Sequence, residues 1–354
     1  MSKNVRFKVQ PGGALKGRIR VPGDKSISHR SIMLGSIAEG VTHVTGFLEG
    51  EDSLATLKAF QDMGVQIEGP DNGKVVIHGV GLHGLKQPEH ALDMGNSGTA
   101  MRLMAGILAG QDFDCELIGD ASLSKRPMKR VTEPLAKMGA EIDTAEGGMP
   151  PLKIKRGSQL KAIDYTLPMA SAQVKSCLLL AGLYADGKTS VIEPAPTRDH
   201  TERMLQGFGY ALEVEKLDAM RTQVSLTGGG KLAATDIDVP SDISSAAFFM
   251  VAGAIAKEAD IVIEHVGINP TRTGVIDILK LMGADISLEN ESTVGGEPVA
   301  DIHVKSSQLK GIEIPEALVP LAIDEFPVLF VAAAAAEGKT VLTGAEELRV
   351  KESD

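Results

Sequence analysis

Asp62-Met63-Gly64-Val65 is the first of four closely similar stretches in this chain. The others are Lys137-Met138-Gly139-Ala140, Gly207-Phe208-Gly209-Tyr210 and Leu281-Met282-Gly283-Ala284. In each, an amphipathic run ends in an apolar residue, glycine follows, and a short strand pattern begins. Glycine directly after the last apolar residue is the expected C-terminal cap of a helix, because it takes the left-handed backbone without a Cβ penalty. The glycines at 64, 139, 209 and 283 are 75, 70 and 74 residues apart. The helices they end are expected to open at Asp52, Arg126, Arg198 and Arg272. A fifth such helix is expected to open at Glu347–Ser353.

A second set of helices alternates with the first. Their openings read Asp24-Lys25-Ser26, Asn96-Ser97-Gly98-Thr99, Ala170-Ser171-Ala172-Gln173, Ser241-Asp242-Ile243-Ser244 and Asp324-Glu325-Phe326-Pro327. The bodies that follow, such as Leu178-Leu179-Leu180-Ala181-Gly182 and Phe330-Val331-Ala332-Ala333-Ala334, are apolar almost all round, which predicts burial. The unit is helix, strand, helix, strand plus extra strands, and a period of this length signals an α/β repeat architecture.

Composition narrows the class. Over 354 residues, two domains are expected. An apolar content of 43 % with 39 glycines fits a compact α/β protein rather than a disordered chain. Cys115 and Cys177 match no disulfide or zinc spacing and read as structural thiols. The start, Met1-Ser2-Lys3-Asn4-Val5-Arg6, has no apolar core and so no signal-peptide pattern. The longest uncharged apolar run, Ala246 to Ala256, is too short to span a bilayer. The expectation is a soluble cytoplasmic protein with no membrane partner. A net charge of −11 argues against nucleic acid, but a local site can still bind small anions.

The local pattern is cationic. Lys25, His29 and Arg30 crowd one helix opening, Lys125, Arg126, Lys129 and Arg130 another, and Arg198 and Arg272 open two more. Helix N-termini carry positive partial charge, so each cation there costs about 0.3–1 kcal/mol. Anions held jointly by backbone N–H groups, helix dipoles and basic side chains would offset that cost. Surface pairing, as of Arg198 with Glu202, is the alternative at any single opening. Gly98 and Thr99, and Ser171, Ala172 and Gln173, offer amides and hydroxyls for the same purpose, or simple N-caps. Asp324 lies inside the apolar run from Pro320 to Phe330, where desolvation would favour a proton acceptor, although an N-cap role is also open. Glu352 stands beside Lys351, as an acid or as half of a surface ion pair.

Taken together, Pro22-Gly23-Asp24-Lys25-Ser26-Ile27-Ser28-His29-Arg30-Ser31, Gly95-Asn96-Ser97-Gly98-Thr99-Ala100-Met101-Arg102, Lys125-Arg126-Pro127-Met128, Met169-Ala170-Ser171-Ala172-Gln173-Val174-Lys175-Ser176, Thr197-Arg198-Asp199-His200-Thr201-Glu202, Asn269-Pro270-Thr271-Arg272-Thr273-Gly274, Ile323-Asp324-Glu325 and Leu348-Arg349-Val350-Lys351-Glu352-Ser353-Asp354 resemble the 5-enolpyruvylshikimate-3-phosphate synthases, in their class II bacterial form, along the whole chain. The resemblance implies a two-domain inside-out α/β barrel of βαβαββ repeats, with helix N-termini facing an interdomain cleft. It implies one domain over residues 24–238 and a second over 1–23 plus 239–354, with chain crossings near Arg20–Gly23 and Ile237–Ser241. Six such units exceed 354 residues. The chain is therefore expected to hold four units and part of a fifth, and to turn over slowly if at all.

The resemblance also assigns a site. Lys25, Ser26, Arg30, Ser171, Ala172, Gln173, Arg198, Asp324 and Lys351 would hold shikimate 3-phosphate, and Lys25, Gly98, Arg126 and Gln173 would hold phosphoenolpyruvate. Asp324, Glu352 and Lys25 would be the catalytic groups, with Asp324 taking the proton of the attacking 5-hydroxyl and Glu352 protonating the methylene carbon. It implies no metal and no cofactor, a monomer when full length, and room at Gly98 for glyphosate, which occupies the phosphoenolpyruvate site of the family. The competing readings are a UDP-N-acetylglucosamine enolpyruvyl transferase, which usually carries a reactive loop cysteine, a nucleic-acid end-processing enzyme, and a non-catalytic anion-binding module.

Overall fold

The computed structural model describes residues 6, 8, 10, 12–156 and 159–350. All four marker glycines take the left-handed backbone, with φ of 86° at Gly64, 100° at Gly139, 77° at Gly209 and 94° at Gly283. The Gly64 N–H donates to the Gln61 carbonyl and the Val65 N–H reaches back to Phe60, so both orphan carbonyls of the helix end are satisfied. The other three ends repeat the pattern.

The chain enters through β1 (Lys16–Ile19). The first repeat is α1 (Lys25–Ile37), β2 (Glu39–Thr45), α2 (Glu51–Asp62), β3 (Gln66–Asp71) and β4 (Lys74–Val80). The second is β5 (Leu92–Asp93), α3 (Gly98–Leu108), β6 (Cys115–Ile118), α4 (Lys129–Lys137), β7 (Ile142–Ala145) and β8 (Met149–Ile154). The third is β9 (Asp164–Thr166), α5 (Ala172–Gly182), β10 (Lys188–Glu193), α6 (His200–Gly207), β11 (Leu212–Lys216) and β12 (Thr222–Thr227). The fourth is β13 (Ile237–Asp238), α7 (Ile243–Ile255), β14 (Asp260–Gly267), α8 (Gly274–Leu281), β15 (Asp285–Val294) and β16 (Glu297–Lys305), and α9 (Phe326–Ala335) follows.

The strands form four-stranded sheets in the orders β13-β2-β4-β3, β5-β6-β8-β7, β9-β10-β12-β11 and β1-β14-β16-β15. In each, the first pair is parallel and the other two are antiparallel. The expected α/β repeat is present four times, and among the described residues its four sheets are separate and open, each ending in strands paired on one side only.

Two edge strands are exchanged. β1 pairs with β14, from Lys16 against Asp260 to Ile19 against Ile263, although it precedes α1 in the chain. β13 pairs with β2, Ile237 against Val44, although it precedes α7. The two crossings run side by side. The Asp24 N–H donates to the Pro240 carbonyl at 2.8 Å, and the Asp242 N–H donates to the Pro22 carbonyl at 2.9 Å. Gly23 is needed there, since a Cβ would fall 2.0 Å from the Gly46 carbonyl oxygen. Two hydrophobic cores result. One gathers residues from Ile27 to Val239, and the other joins Val21 to residues from Ile243 to Ala332.

Burial of the second helix set is uneven. In α1 every residue from Ile27 to Ile37 is buried, and in α5 every residue from Val174 to Gly182. By contrast, Phe248 on α7 is 62 % exposed and Phe330 on α9 is 50 % exposed, which corrects the expectation of full burial. An all-apolar pattern reports two faces that avoid water, and only one face of these helices meets the second core. Both cysteines are buried. Burial pushes the Cys115 thiol up to about 12 and Cys177 higher still, as inert structural thiols require.

Candidate active site

α1, α3 and α5 each open on a capping side chain. Asp24 accepts the Ile27 N–H at 2.9 Å, Ser97 accepts that of Ala100 at 3.1 Å, and Ser171 accepts that of Val174 at 3.4 Å. The N-cap reading of Ser97 and Ser171 therefore holds. The Gly98 N–H is given to the Asn96 carbonyl at 3.1 Å, and no acidic residue stands in the first turn of any of the three helices, although the Asp24 carboxylate caps α1.

Side chains tie these openings into one wall. Gln173, in the first turn of α5, donates to Thr99 Oγ1 at 2.9 Å and accepts from Arg102 on α3. Arg126 donates to Asn96 Oδ1 at 2.8 Å. His29 bridges Thr56 Oγ1 on α2 at 2.8 Å and Ser97 Oγ at 3.3 Å, joining α1 to α3. Burial lowers the His29 pKa to about 4, so it serves as a neutral linker. Lys25 reaches Asp52 at 3.2 Å. Gly98 lies under two guanidinium groups. A Cβ there would sit 3.2 Å from Arg102 Nη1 and 3.4 Å from Arg126 Nη1.

Arg102 is the residue that sequence reasoning passed over. Desolvation, then Arg130 and Arg126, lower its pKa, and its Nε has no partner in the protein. A half-buried cation that is destabilised by two others fits a site awaiting an anion. The signal was present in the sequence: Arg102 follows Gly98 by four residues and so lies on the same face of α3.

The opposite wall comes from the second core. Asp324 forms an ion pair with Arg198 across the cleft, and both side chains are 31 % exposed. The desolvated carboxylate of this turn is instead Glu325, which is buried and whose pKa burial raises. The desolvated carboxylate expected at Asp324 thus lies one residue further along the chain. Three of the expected helix openings also move. α4, α6 and α8 begin at Lys129, His200 and Gly274, so Arg126, Arg198 and Arg272 stand in the loops before them. Arg126 precedes Pro127 and is extended, as a residue before proline is constrained to be. Arg272 is no anion ligand, because its guanidinium is buried against Asp24, Asp242, Ser244 and Glu325.

Lys25, Gly98, Arg126 and Gln173 thus line one connected wall, with Ser26 and Ala172 in the first turns of α1 and α5. Arg198 and Asp324 meet across the cleft. Arg30 lies beneath the wall, buried, and donates to Thr201 Oγ1 at 2.7 Å, Ser176 Oγ at 3.0 Å and the Ser26 carbonyl at 2.9 Å. Lys351 and Glu352 lie outside the described residues. Among the described residues no group of three or more His, Cys, Asp or Glu side chains could hold a metal ion, and no helix is long and apolar enough to cross a membrane.

Repeated α/β units around two cores, with basic side chains gathered at helix openings and Arg198 paired with Asp324 between the two cores, define a transferase architecture suited to small phosphorylated acids. A solved enolpyruvyl transferase, NikO from Streptomyces tendae, shares this fold at 15 % identity with a TM-score of 0.72 over 93 % of this chain and 75 % of that one. The chain belongs to the EPSP synthase (3-phosphoshikimate 1-carboxyvinyltransferase) family, whose sequence profile matches residues 9–354. It is 83 % identical over its whole length to the 3-phosphoshikimate 1-carboxyvinyltransferase of Hydrogenovibrio crunogenus, covering 80 % of that protein. It is 66 % identical to that of Methylococcus capsulatus over 352 residues, covering 79 % of that protein. A solved structure of EPSP synthase from Acinetobacter baumannii superposes with a TM-score of 0.90 at 68 % identity, covering 97 % of this chain and 77 % of that one.

Proposed function

We propose a division of labour for the reaction of this family, in which the enolpyruvyl group of phosphoenolpyruvate passes to the 5-hydroxyl of shikimate 3-phosphate and phosphate is released. The observation that carries it is the pairing of Arg198 with Asp324, which sets a carboxylate opposite the cationic wall of α1, α3 and α5. Lys25, Ser26, Ser171, Ala172, Gln173, Arg198 and Lys351 hold shikimate 3-phosphate, and Arg30, buried behind them, braces α1 against Ser176 and Thr201. Lys25, Gly98, Arg126 and Gln173 hold phosphoenolpyruvate, with Arg102 completing its charge balance. The two cores support a division into domains of residues 24–238 and of 1–23 plus 239–354, although Val239 packs with the first core.

In this scheme the Asp324 carboxylate accepts the 5-hydroxyl proton as the oxygen attacks the central carbon of phosphoenolpyruvate. Glu352 gives a proton to the methylene carbon, and Lys25 and the arginines stabilise the tetrahedral adduct. Loss of a methyl proton and of phosphate then yields the enol ether. Prearranged cations supply the main stabilisation, since they face the developing charge without reorganising. Two buried, unreactive cysteines favour this acceptor over a nucleotide sugar.

Calorimetry tests the assignment. Shikimate 3-phosphate is expected to bind and to tighten phosphoenolpyruvate, while UDP-N-acetylglucosamine and RNA give no heat. Binding of the nucleotide sugar, or undiminished shikimate 3-phosphate binding in Gln173→Ala and Arg198→Ala, would overturn it.

A further inference from the structure

We propose that Arg272 is a positioning residue that holds Lys25 and Asp324 opposed across the cleft. This rests on the roles just given to those two side chains. Arg272 does not face the cleft, and only 5 % of the residue is exposed. Its Nη1 donates to Asp24 Oδ2 at 2.5 Å, and its Nη2 donates to Ser244 Oγ at 2.6 Å and to Asp242 Oδ1 at 3.3 Å. Glu325 Oε1 lies 3.7 Å from Nη2 and also accepts the Ser244 hydroxyl proton. Four groups from three separate parts of the chain therefore meet on one planar cation.

Their places in the fold give the cluster its meaning. Asp24, Asp242 and Glu325 are the N-cap residues of α1, α7 and α9. α1 belongs to the first core and α7 and α9 to the second, and their three caps meet on Arg272. Lys25 is the first residue of α1, and Asp324 immediately precedes Glu325. A shift of the guanidinium would thus pass through one peptide unit to each of the two working side chains. Asp24 and Asp242 also cap the two chain crossings, whose backbones bond to each other. The pin sits where the halves join.

The electrostatics fit a pin and not a binding group. Three carboxylates face one guanidinium. Although burial opposes it, Arg272 holds Asp24 at about 2, whereas burial raises both Asp242 and Glu325. Arg198 acts through space on all three. The three carboxylates outnumber the one cation, although its Nε has no hydrogen-bond partner in the protein. A lysine could not replace the arginine, because a single ammonium cannot reach acceptors spread around a planar fork.

The experiment is a double-mutant cycle on phosphate release, with shikimate 3-phosphate affinity by calorimetry and circular dichroism as a check of folding. Arg272→Met is expected to lower kcat about 10²-fold, the scale of an ångström-sized misplacement. Arg272→Lys should retain the fold and show nearly the same loss. Combined with Asp324→Asn, Arg272→Met should add far less than its single effect, because a misplaced base has little left to lose. Ser244→Ala, which removes one hydroxyl between Arg272 and Glu325, should lower kcat by a smaller factor and serves if Arg272→Met does not fold. A folded Arg272→Met within threefold of the parent kcat, or strict multiplication of its effect with that of Asp324→Asn, would overturn the proposal. If Asp324→Asn alone retains kcat, the assignment of the base is what fails. The pin is then decided by shikimate 3-phosphate affinity, which Arg272→Met must weaken through Lys25.

Discussion

Replacing the buried Lys175 by methionine should destabilise the first core. The Lys175 side chain is 1 % exposed and pairs with Glu202 at 2.6 Å and Glu193 at 2.9 Å, both of which are also buried. Thr197 donates to Glu193 at 2.6 Å, so the loop leading to Arg198 hangs on the same cluster. Methionine keeps the length and apolar stem but leaves two carboxylates buried without a counter-charge. Removing one partner of a buried ion pair costs about 3–5 kcal/mol. For a unit of this size that corresponds to a melting temperature lower by roughly 10 °C. The pH dependence has a definite sign. Burial raises the Glu202 pKa above its ordinary value, so the folded state holds that proton more readily than the unfolded chain. Stability tied to such a group is present at low pH and is lost as pH rises. The deficit of Lys175→Met should therefore be greatest near neutral pH and shrink toward pH 4. Urea unfolding followed by circular dichroism at several pH values measures it. A variant within about 0.5 kcal/mol of the parent at pH 7.5 would refute the reasoning, since that is the range of a neutral surface change. So would a failure of added Glu193→Gln and Glu202→Gln to recover stability.

Gly98→Ala places a methyl against Arg102 and Arg126 and should raise the KM for phosphoenolpyruvate roughly tenfold, about 1.4 kcal/mol, and weaken glyphosate inhibition in parallel, with the melting temperature unchanged. Arg198→Ala should weaken shikimate 3-phosphate in calorimetry while changing stability by about 1 kcal/mol or less, because its pair with Asp324 is about a third exposed. The lowered His29 pKa predicts stability that is full above about pH 6.5 and falls toward pH 4, as the unfolded chain binds a proton that the folded one refuses. Its size is on the order of 3 kcal/mol, and His29→Gln should remove that part of the unfolding-versus-pH slope.

Much of this architecture is legible because it is local. The cap glycines fix helix ends through their own backbone preference, and the paired crossings lie at Pro22 and Pro240, where no N–H needs a partner. What was misread depends on distant partners. Arg272 looked like a cation at a helix opening because its counter-charge, Asp24, is 248 residues away. Asp324 and Glu325 share one apolar context, and only the tertiary fold decides which of the two is buried. The exposed faces of α7 and α9 were misjudged because an apolar pattern is silent about what lies opposite. Arg102 was legible by spacing, but it was read as part of a motif and given no role.

The exchange of β1 and β13 also sets a timetable for synthesis. β1 leaves the ribosome ahead of the first core, yet its partner β14 begins at Asp260. At about 5–20 residues per second, β1 waits roughly 10–50 s for that partner, long enough for the whole first core to form in between. The first core in turn lacks its edge strand until Ile237 emerges. A strand made before the first core is thus held in reserve for a sheet that can form only after that core.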